Sequence, residues 1–372
     1  MDAPDAAEPS IIISSSSINN NEENKIMNRV ATAGAAMRAG AFAEAAARQR
    51  MPAAIIEKDF WVCWLLGLLF GDARNGGRFV FKGGTALSKV FRVINRFSED
   101  IDLSLDPAVL GIREADVEAL SGRRRRDDFM TRLEGLCGAW VRDELMPELN
   151  QAIVGILGER AGHVAWLEYE EDADSRSPVL YFRYPCDFPD DIPYIRRAVK
   201  LEFGSLTDQR PTGRHRVQPW MAETMTGEMR DMGCEVVALN VERAFWEKAT
   251  ILHAEYHRDP LRAMPVRYSR HYADLAELAR SAYVEGAVGN TALRQRVVEW
   301  KNRFFARTEA RYDLARPGTF RLSPPEHRMA ELERDFAAMQ EMFMGDAPNL
   351  PAILETLRAL EEQINAEAAA AE

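Results

Sequence analysis

Long hydrophobic runs are missing from this sequence of 372 residues. The nearest candidate, residues 60–70, is shorter than the roughly 18 apolar residues that a membrane-spanning helix requires, so we expect a buried helix there and no membrane contact. The N-terminus carries Asp2, Asp5 and Glu8 in place of a basic segment ahead of an apolar one, so no secretory signal is expected. These absences predict a cytoplasmic protein.

Cysteine and histidine are also scarce. The four cysteines have no paired spacing typical of a zinc or redox site and are expected to be buried free thiols: Cys63, Cys137, Cys186 and Cys234. His253 and His257 stand four residues apart, but the residues around them are not those of the His-Glu-x-x-His zinc motif. A zinc site is therefore the minor alternative. There is no Walker-type Gly-Lys-Ser/Thr loop, and no Ser/His/Asp or Cys/His arrangement indicates a nucleophilic enzyme.

The formal net charge of -11 argues against broad, non-specific affinity for nucleic acid. It leaves room for a local basic groove. The run from Arg123 to Arg126 has two interpretations: contact with RNA phosphates, or a solvated helix face. The second is favoured because Asp127 and Asp128 follow directly and because four consecutive residues spread around a helix.

The most informative stretch is residues 79–105. It begins with an apolar run, residues 79–81, that predicts a buried strand, and Gly83 and Gly84 then predict a turn where backbone can approach a ligand closely. From residue 86 to residue 95, apolar residues recur every three or four positions, which predicts a short helix. A second strand is predicted to start near Ile101.

Two aspartates stand at the head of that second strand. Asp100 and Asp102 are two residues apart, so their side chains leave the strand on the same face. Two carboxylates near a glycine turn that opens a helix can hold a divalent cation and a phosphate together. The expected chemistry is metal-assisted phosphoryl or nucleotidyl transfer.

The segments KGGTALSK and RFSEDIDL resemble the AbiEii family of nucleotidyltransferase-like toxins, a branch of the DNA polymerase beta-like nucleotidyltransferase superfamily. Fourteen residues separate Thr85 from Asp100, and the Gly-Gly-Thr version with Arg96 and Ser98 looks like the AbiEii branch in particular. The resemblance implies that Mg²⁺ or Mn²⁺ is bound by the paired aspartates and that a nucleoside triphosphate is the substrate. It further implies nucleotide binding by Lys82, Gly83, Gly84, Thr85, Ser98 and Lys248.

Strand-like alternation returns between residues 164 and 203, in VAWLEYE, VLYFRYP and AVKLEFG. In the last of these, Lys200 and Glu202 share one face and the apolar residues take the other. If this strand lies next to the acidic one, Glu202 is well placed to be a third metal ligand beside Asp100 and Asp102. The alternative is an exposed strand face with no ligand role.

A helical region further along the chain carries the remaining candidates. The segment RYSRHYADLAEL places Arg270 and Asp274 four residues apart, adjacent on a helix surface, and on the residues alone they form a surface pair. This segment and VERAFWEKATILHAEYHR resemble the later AbiEii motifs, Glu-Lys and Arg-Asp-x-x-Asp-Leu. Glu247 and Lys248 match the first motif, and Arg270 and Asp274 match the second.

The resemblance implies a catalytic set made of Asp100, Asp102, Lys248 and Asp274. Lys248 would neutralise charge that develops on the triphosphate, and Asp274 would position the metal, the nucleotide or the acceptor hydroxyl. His271 stands where the family usually has an acid, so it receives no role.

The predicted fold is α/β: a mixed sheet of the nucleotidyltransferase type with flanking helices, and a mostly helical C-terminal domain. Residues 1–25 are low in complexity and are predicted to be a disordered leader. Residues 26–234 are predicted to form the nucleotidyltransferase domain. Residues 235–372 are predicted to form the helical domain that completes the active site across a cleft.

Together these residues favour a magnesium-dependent nucleotidyltransferase toxin. The resemblance implies a toxin/antitoxin or phage-defence pair, a possible cognate antitoxin encoded nearby, and tRNA as the acceptor of the nucleotide. Two alternatives stay open. One is transfer to a protein or a small molecule, to which the acidic net charge gives weight; the other is a nucleotide-binding regulatory module that performs no transfer.

Overall fold

The computed structural model describes residues 15–71, 77–173, 175–188, 196–205, 208–305, 308–345 and 348–367. These residues form one seven-stranded sheet, flanked by helices and followed by a helical part. The strands are β1 (Phe79–Lys82), β2 (Ile101–Leu105), β3 (Leu167–Glu171), β4 (Pro178–Phe182), β5 (Val199–Gly204), β6 (Thr212–Val217) and β7 (Cys234–Leu239).

The α-helices of the same ranges divide into those around the sheet and those that follow it. Around the sheet lie α1 (Ser15–Ala31), α2 (Ala35–Gln49), α3 (Ala53–Gly71), α4 (Gly83–Lys89), α5 (Glu114–Glu118), α6 (Arg123–Trp140), α7 (Met146–Leu157) and α8 (Trp220–Thr224). The C-terminal helices are α9 (Val241–Tyr256), α10 (Ser269–Arg280), α11 (Val284–Gly289), α12 (Thr291–Phe304), α13 (Met329–Ala338) and α14 (Leu350–Ala366). Among the described residues, no helix is both long enough and apolar enough to cross a bilayer.

The sheet is mixed, with the strand order β3-β4-β5-β2-β1-β7-β6. β2 runs antiparallel to β1 and parallel to β5, and β1 runs parallel to β7. The strands that carry the acidic residues are therefore central ones, with hydrogen-bonded neighbours on both sides. The predicted mixed sheet with flanking helices is confirmed.

The two faces of the central strands differ as the two-residue period requires. Leu103, Leu201 and Phe203 are completely buried in the core that the sheet shares with α3. The alternate positions, which include Asp102 and Glu202, face the opposite side. The alternation thus puts apolar residues under helices and leaves the polar row free to line a cleft.

Helix α1 corrects part of the predicted leader. Residues 1–14 lie outside the described residues, but residues 15–25 belong to α1, so the prediction of disorder is wrong for that stretch. Asn24 Nδ2 donates to the Gly67 carbonyl of α3 over 3.2 Å, and Trp64 Nε1 of α3 donates to Asn28 over 2.8 Å. Packing on α3 therefore outweighs the low-complexity composition.

The predicted boundary between residues 234 and 235 falls inside the sheet, since β7 begins at Cys234. The helical part begins at Val241, where α9 starts, and it has its own apolar core. That core also takes in Leu87 and Ile94 from the first part of the chain. The two parts therefore share packing at their junction.

Helix α4 differs from the helix predicted over residues 86–95. It starts three residues earlier, at Gly83, and ends at Lys89. Arg92 adopts a left-handed backbone conformation with φ of 52°, which is incompatible with a continuing right-handed helix. The glycine pair is therefore the first turn of the helix itself.

Candidate active site

A cleft of about 480 Å³ opens between the sheet and helices α9 and α10, within the size range of small-molecule sites. It has a polar sheet side and a polar helical side joined by an apolar wall. The sheet side is lined by Lys82, Gly83, Gly84, Arg96, Ser98, Asp100, Asp102, Lys200 and Glu202. The helical side contributes Glu247, Lys248, Arg270 and His271, and the apolar wall consists of Ala86, Leu87, Phe91, Leu239, Ala244 and Ile251.

The predicted carboxylates come together on the sheet side because of strand register. Asp102 pairs with Lys82 across the β1–β2 ladder and with Glu202 across the parallel β2–β5 ladder. Asp100 precedes β2 by one residue and lines the same cleft. Directly opposed residues on neighbouring strands have Cβ atoms about 5 Å apart, so the structure brings all three predicted metal ligands to one wall.

Burial and neighbouring negative charges both act on the pKa of Asp102. Burial together with the Glu202 and Asp100 carboxylates raises the pKa of Asp102 to about 6, although Lys82 acts in the opposite direction. Desolvation and nearby anions both disfavour the ionised carboxyl. The position is therefore one where a bound cation would be stabilised.

A divalent cation fits the chemistry of this wall, because hard cations such as Mg²⁺ take carboxylate oxygens. The carboxylates are not already arranged as a metal site, since the described part of the chain contains no group of three or more His, Cys, Asp and Glu side chains that could hold a metal ion. Glu202 is engaged instead by Lys200, whose Nζ lies 2.7 Å from Glu202 Oε2.

The glycine turn is pressed against this wall. Gly83 has φ of +78°, and a Cβ atom placed on it would lie 1.9 Å from Asp102 Oδ2. A Cβ atom on Gly84 would lie 2.7 Å from a terminal nitrogen of Arg96 and 2.8 Å from Ser98 Oγ. Gly83 therefore requires glycine, and a side chain at Gly84 would have to displace Arg96 and Ser98. The backbone of both residues adjoins the carboxylates and a guanidinium.

Thr85 differs from the other predicted nucleotide-binding residues. Its side chain is fully buried and does not line the cleft. Its hydroxyl donates to the carbonyl of Asp100 and lies 3.0 Å from Ser98 Oγ. In this structure, Thr85 fixes α4 to the residues that lead into β2, while Ser98 faces the cleft.

Asp274 lies behind the cleft, with a side chain that is 1% exposed. Arg96 Nε and its terminal nitrogen donate to the two carboxylate oxygens over 2.7 and 2.9 Å, and Lys248 Nζ lies 2.8 Å from Oδ2. These two cations hold the pKa of Asp274 far below its usual range, against the effect of burial. The interpretation of Arg270 and Asp274 as a surface pair is therefore wrong. Asp274 does not line the cleft itself but contacts Arg96 and Lys248, which do.

The family described as "Nucleotidyl transferase AbiEii toxin, Type IV TA system" matches residues 66–363. The chain belongs to this family. Membership identifies it as a nucleotidyltransferase of a toxin/antitoxin system, and the match extends through most of the helical part.

A search of solved structures finds MenT4, a nucleotidyltransferase toxin from Mycobacterium tuberculosis H37Rv. The two chains are 18% identical, with a TM-score of 0.37 over 80% of this chain and 98% of that one. No curated protein sequence matches significantly.

Five polar cleft residues of this AbiEii protein have no role predicted from the sequence: Arg96, Lys200, Glu247, Arg270 and His271. Spacing could have indicated two of them. Lys200 shares the strand face of Glu202, and Glu247 follows Ala244 and precedes Ile251 at helical intervals, so all three share one face of α9. His271 is held neutral, since burial and the nearby Lys248 and Arg270 lower its pKa well below the usual range.

The His253 ring is bound to backbone groups on both of its nitrogens. His253 Nδ1 accepts from the Arg321 backbone N–H over 3.1 Å, and its Nε2 lies 3.0 Å from the Arg311 carbonyl. Both ring nitrogens are thus committed to backbone, which leaves none for zinc. All four cysteines are free thiols, as predicted, although Cys186 is only partly buried.

The arginine run begins helix α6 and is solvated. Arg123, Arg124 and Arg125 are exposed, and Arg123 Nε lies 3.8 Å from Asp127 Oδ2 on the same helix. The favoured interpretation of a solvated face agrees with this exposure.

Proposed function

We propose that this AbiEii protein is a magnesium-dependent enzyme that transfers a nucleotide from a nucleoside triphosphate to tRNA, acting in the cytoplasm as the toxin partner of a cognate antitoxin or in phage defence. The observation that carries the proposal is the shared wall of Gly83, Asp102 and Glu202 in a cleft that also contains Lys248 and Arg270. Nucleotidyl transfer requires backbone that a phosphate can approach closely, carboxylates that bind a metal ion, and cations that stabilise negative charge.

Asp100 and Asp102 would hold the divalent cation, and Glu202 would join them after release from Lys200. A bound Mg²⁺ supplies activation of an attacking hydroxyl and stabilisation of the leaving pyrophosphate. The Lys200 ammonium, 2.7 Å from Glu202 in the structure, would then be available to the triphosphate.

The cations of the cleft stabilise charge in the proposed reaction. The acceptor hydroxyl oxygen attacks the α-phosphorus, the bond to the β-phosphate oxygen breaks, and pyrophosphate leaves. Negative charge grows on the leaving phosphates, and Lys248 and the Arg96 guanidinium, which lies beneath Gly84, would stabilise it. Both cations are already oriented by Asp274, so little rearrangement is needed during the reaction.

The apolar wall is suited to the nucleoside. Leu87, Phe91 and Ile251 offer surface for a base or ribose and carry no side-chain hydrogen-bonding group. The apolar wall therefore provides no hydrogen bonds that could discriminate among the four bases.

The acceptor is proposed as tRNA because this chain resembles AbiEii-type toxins that add nucleotides to its acceptor end. A protein or small-molecule acceptor is the second candidate. The net charge of -11 and the ion-paired start of α6 favour that candidate, because neither supplies a broad basic surface for RNA.

The test incubates the purified protein with Mg²⁺, total cellular RNA and each α-labelled nucleoside triphosphate in turn, beside an Asp100→Ala/Asp102→Ala variant. Label in a tRNA-sized band with the parent, and none with the variant, supports the proposal. Label in protein after addition of lysate would move the acceptor to the second candidate. Unchanged transfer by the double variant would contradict the metal mechanism.

A further inference from the structure

Three consecutive charged residues interrupt the otherwise apolar helix α3. Glu57, Lys58 and Asp59 are between 1% and 3% exposed, and the residues after them are buried and apolar up to Leu66. Successive side chains leave a helix about 100° apart, so the three point in different directions. Each has its own partner on a different segment of the chain.

Two of these partners, Glu99 and Lys89, adjoin segments that carry residues of the cleft. Lys58 Nζ contacts Glu99 Oε2 at 2.5 Å and donates to the Arg196 carbonyl over 2.7 Å. Glu99 is the residue directly before Asp100. Asp59 accepts from Lys89 Nζ over 2.6 Å, and Lys89 is the last residue of α4, the helix that the glycine turn opens.

The contacts close into a ring. Helix α3 holds Glu99 through Lys58 and holds the end of α4 through Asp59. At its other end, α4 is held to Asp100 by the hydroxyl of Thr85. The glycine turn and the acidic strand are therefore tied to each other once directly and once through α3.

Packing alone does not account for these pairs. Burying two charges in an ion pair costs desolvation that the pairing often fails to offset, and apolar pairs of similar size are frequently as stable. Directed contacts, by contrast, fix the relative position of the groups that they join, as some buried polar pairs do. Helix α3 would pack on the sheet equally well through apolar residues at these positions.

We propose that Lys58 and Asp59 are positioning residues for nucleotidyl transfer: Lys58 sets the place of the acidic pair through Glu99, and Asp59 sets the place of the glycine turn through Lys89. The catalytic consequence rests on the proposed function. The positional consequence does not, because it concerns the order of two segments in the free protein.

Three matched double variants test this, each replacing a buried cation by Met and its acid by the amide. They are Lys58→Met/Glu99→Gln, Asp59→Asn/Lys89→Met and the control Arg38→Met/Asp187→Asn. Arg38 and Asp187 form a similarly buried pair, 2.6 Å apart, and their hydrogen bonds among the described residues go to Ala31, Ala33 and Glu57, none of which lines the cleft. Amide hydrogen exchange is followed by mass spectrometry beside thermal unfolding and single-turnover transfer.

We expect Lys58→Met/Glu99→Gln to speed amide hydrogen exchange mainly in residues 97–102, and Asp59→Asn/Lys89→Met to speed it mainly in residues 83–91. In each of these variants the exchange rate of the other segment should stay closer to that of the parent. The control should change the exchange rate of neither segment. Transfer should fall about a hundredfold in the first two variants, the size of effect that a misplacement of about 1 Å produces, and stay within about threefold in the control. Unchanged exchange in both segments, or equal acceleration throughout the core in all three variants, would overturn the proposal.

The two proposals fail in different ways. If the parent protein transfers no nucleotide to any acceptor while the two segments still loosen selectively, the proposed function fails and the positional role stands. If the parent is active and the first two variants exchange and transfer as the parent does, the positional role fails alone.

Discussion

Asp102 lines the sheet side of the cleft and Asp274 lies behind its helical side, and the surroundings of these two aspartates act on them in opposite ways. On the sheet side, burial and the neighbouring carboxylates raise the pKa of Asp102 to about 6. On the helical side, Arg96 and Lys248 hold the pKa of Asp274 far below its usual range. Burial is common to both, so the partners decide the difference.

This contrast separates two uses of a carboxylate within one site. A carboxylate surrounded by other carboxylates is under-compensated and suited to a cation. A carboxylate whose oxygens are both taken by cations is itself an anchor, and it orients the groups that it binds. We therefore propose that Asp102 binds the cation, whereas Asp274 holds Arg96 and Lys248 in place.

The largest expected effect comes from Asp102→Asn. We expect nucleotide transfer to fall about a thousandfold, because the change removes a charged oxygen from the proposed cation site. Thermal stability should stay equal or rise slightly, since repulsion from Asp100 and Glu202 is relieved. Labelled-nucleotide assays and thermal unfolding measure the two effects. Transfer within tenfold of the parent would contradict the assignment of Asp102.

The corresponding substitution behind the helical side of the cleft, Asp274→Asn, should act mainly on stability. It leaves Arg96 and Lys248 buried without a counter-charge, which costs about 3 kcal/mol or more in the free energy of unfolding. Denaturant unfolding at pH 7 measures this loss, with Asp102→Asn as the matched control. Adding Arg96→Met should recover part of the stability but no activity. Equal stability losses in the two Asn variants would contradict the different roles that we assign to Asp102 and Asp274.

His253 extends the comparison to a buried base. Burial and the neighbouring His257 lower its pKa from 6.5 to about 4, although the Arg311 carbonyl favours the protonated form. The unfolded chain therefore binds a proton before the folded one does, and stability falls as the pH drops from about 6.5 to about 4. The loss amounts to about 2–3 kcal/mol, because each unit corresponds to about 1.4 kcal/mol.

Unfolding free energies at pH 7, 5.5 and 4.5 check this prediction. His253→Gln should flatten the pH dependence relative to the parent, whereas His327→Gln, at an exposed position, should leave it unchanged. Parallel curves for all three proteins would show that His253 does not carry the effect.

Local periodicity is what made half of this site predictable. Asp100, Asp102 and the glycine turn lie within one short segment, and a two-residue period is enough to place both carboxylates on one face. Asp274 was recognised only by resemblance, and its surroundings were not foreseen. Its partner Arg96 is 178 residues away, and no pattern within a helix records a contact at that distance.

Strand β6, which the sequence does not predict, and the helical part of the predicted leader differ from expectation for the same reason. Strand β6, Thr212–Val217, is an edge strand with several exposed, polar positions, so it lacks the apolar alternation that identifies a strand. Residues 15–25 look too polar to pack, yet Asn24 bonds to the backbone of α3 and Glu23 pairs with Arg216 of β6 over 3.0 Å. Tertiary contacts determine the structure of both segments, and these contacts cannot be inferred from the composition of either segment.

The smallest expected effect comes from the exposed arginines of α6, which contrast with the buried Arg96. Arg124→Gln/Arg125→Gln should change the free energy of unfolding by no more than about 0.5 kcal/mol. The direction should be a slight gain, because cations at a helix N-terminus oppose its dipole. If the run is only a solvated face, the KM for tRNA stays within about twofold of the parent and its salt dependence is unaltered. A KM several times higher, with a salt slope reduced by about 2, would instead make these arginines an RNA contact, and charge on this helix would then matter to function without mattering to folding.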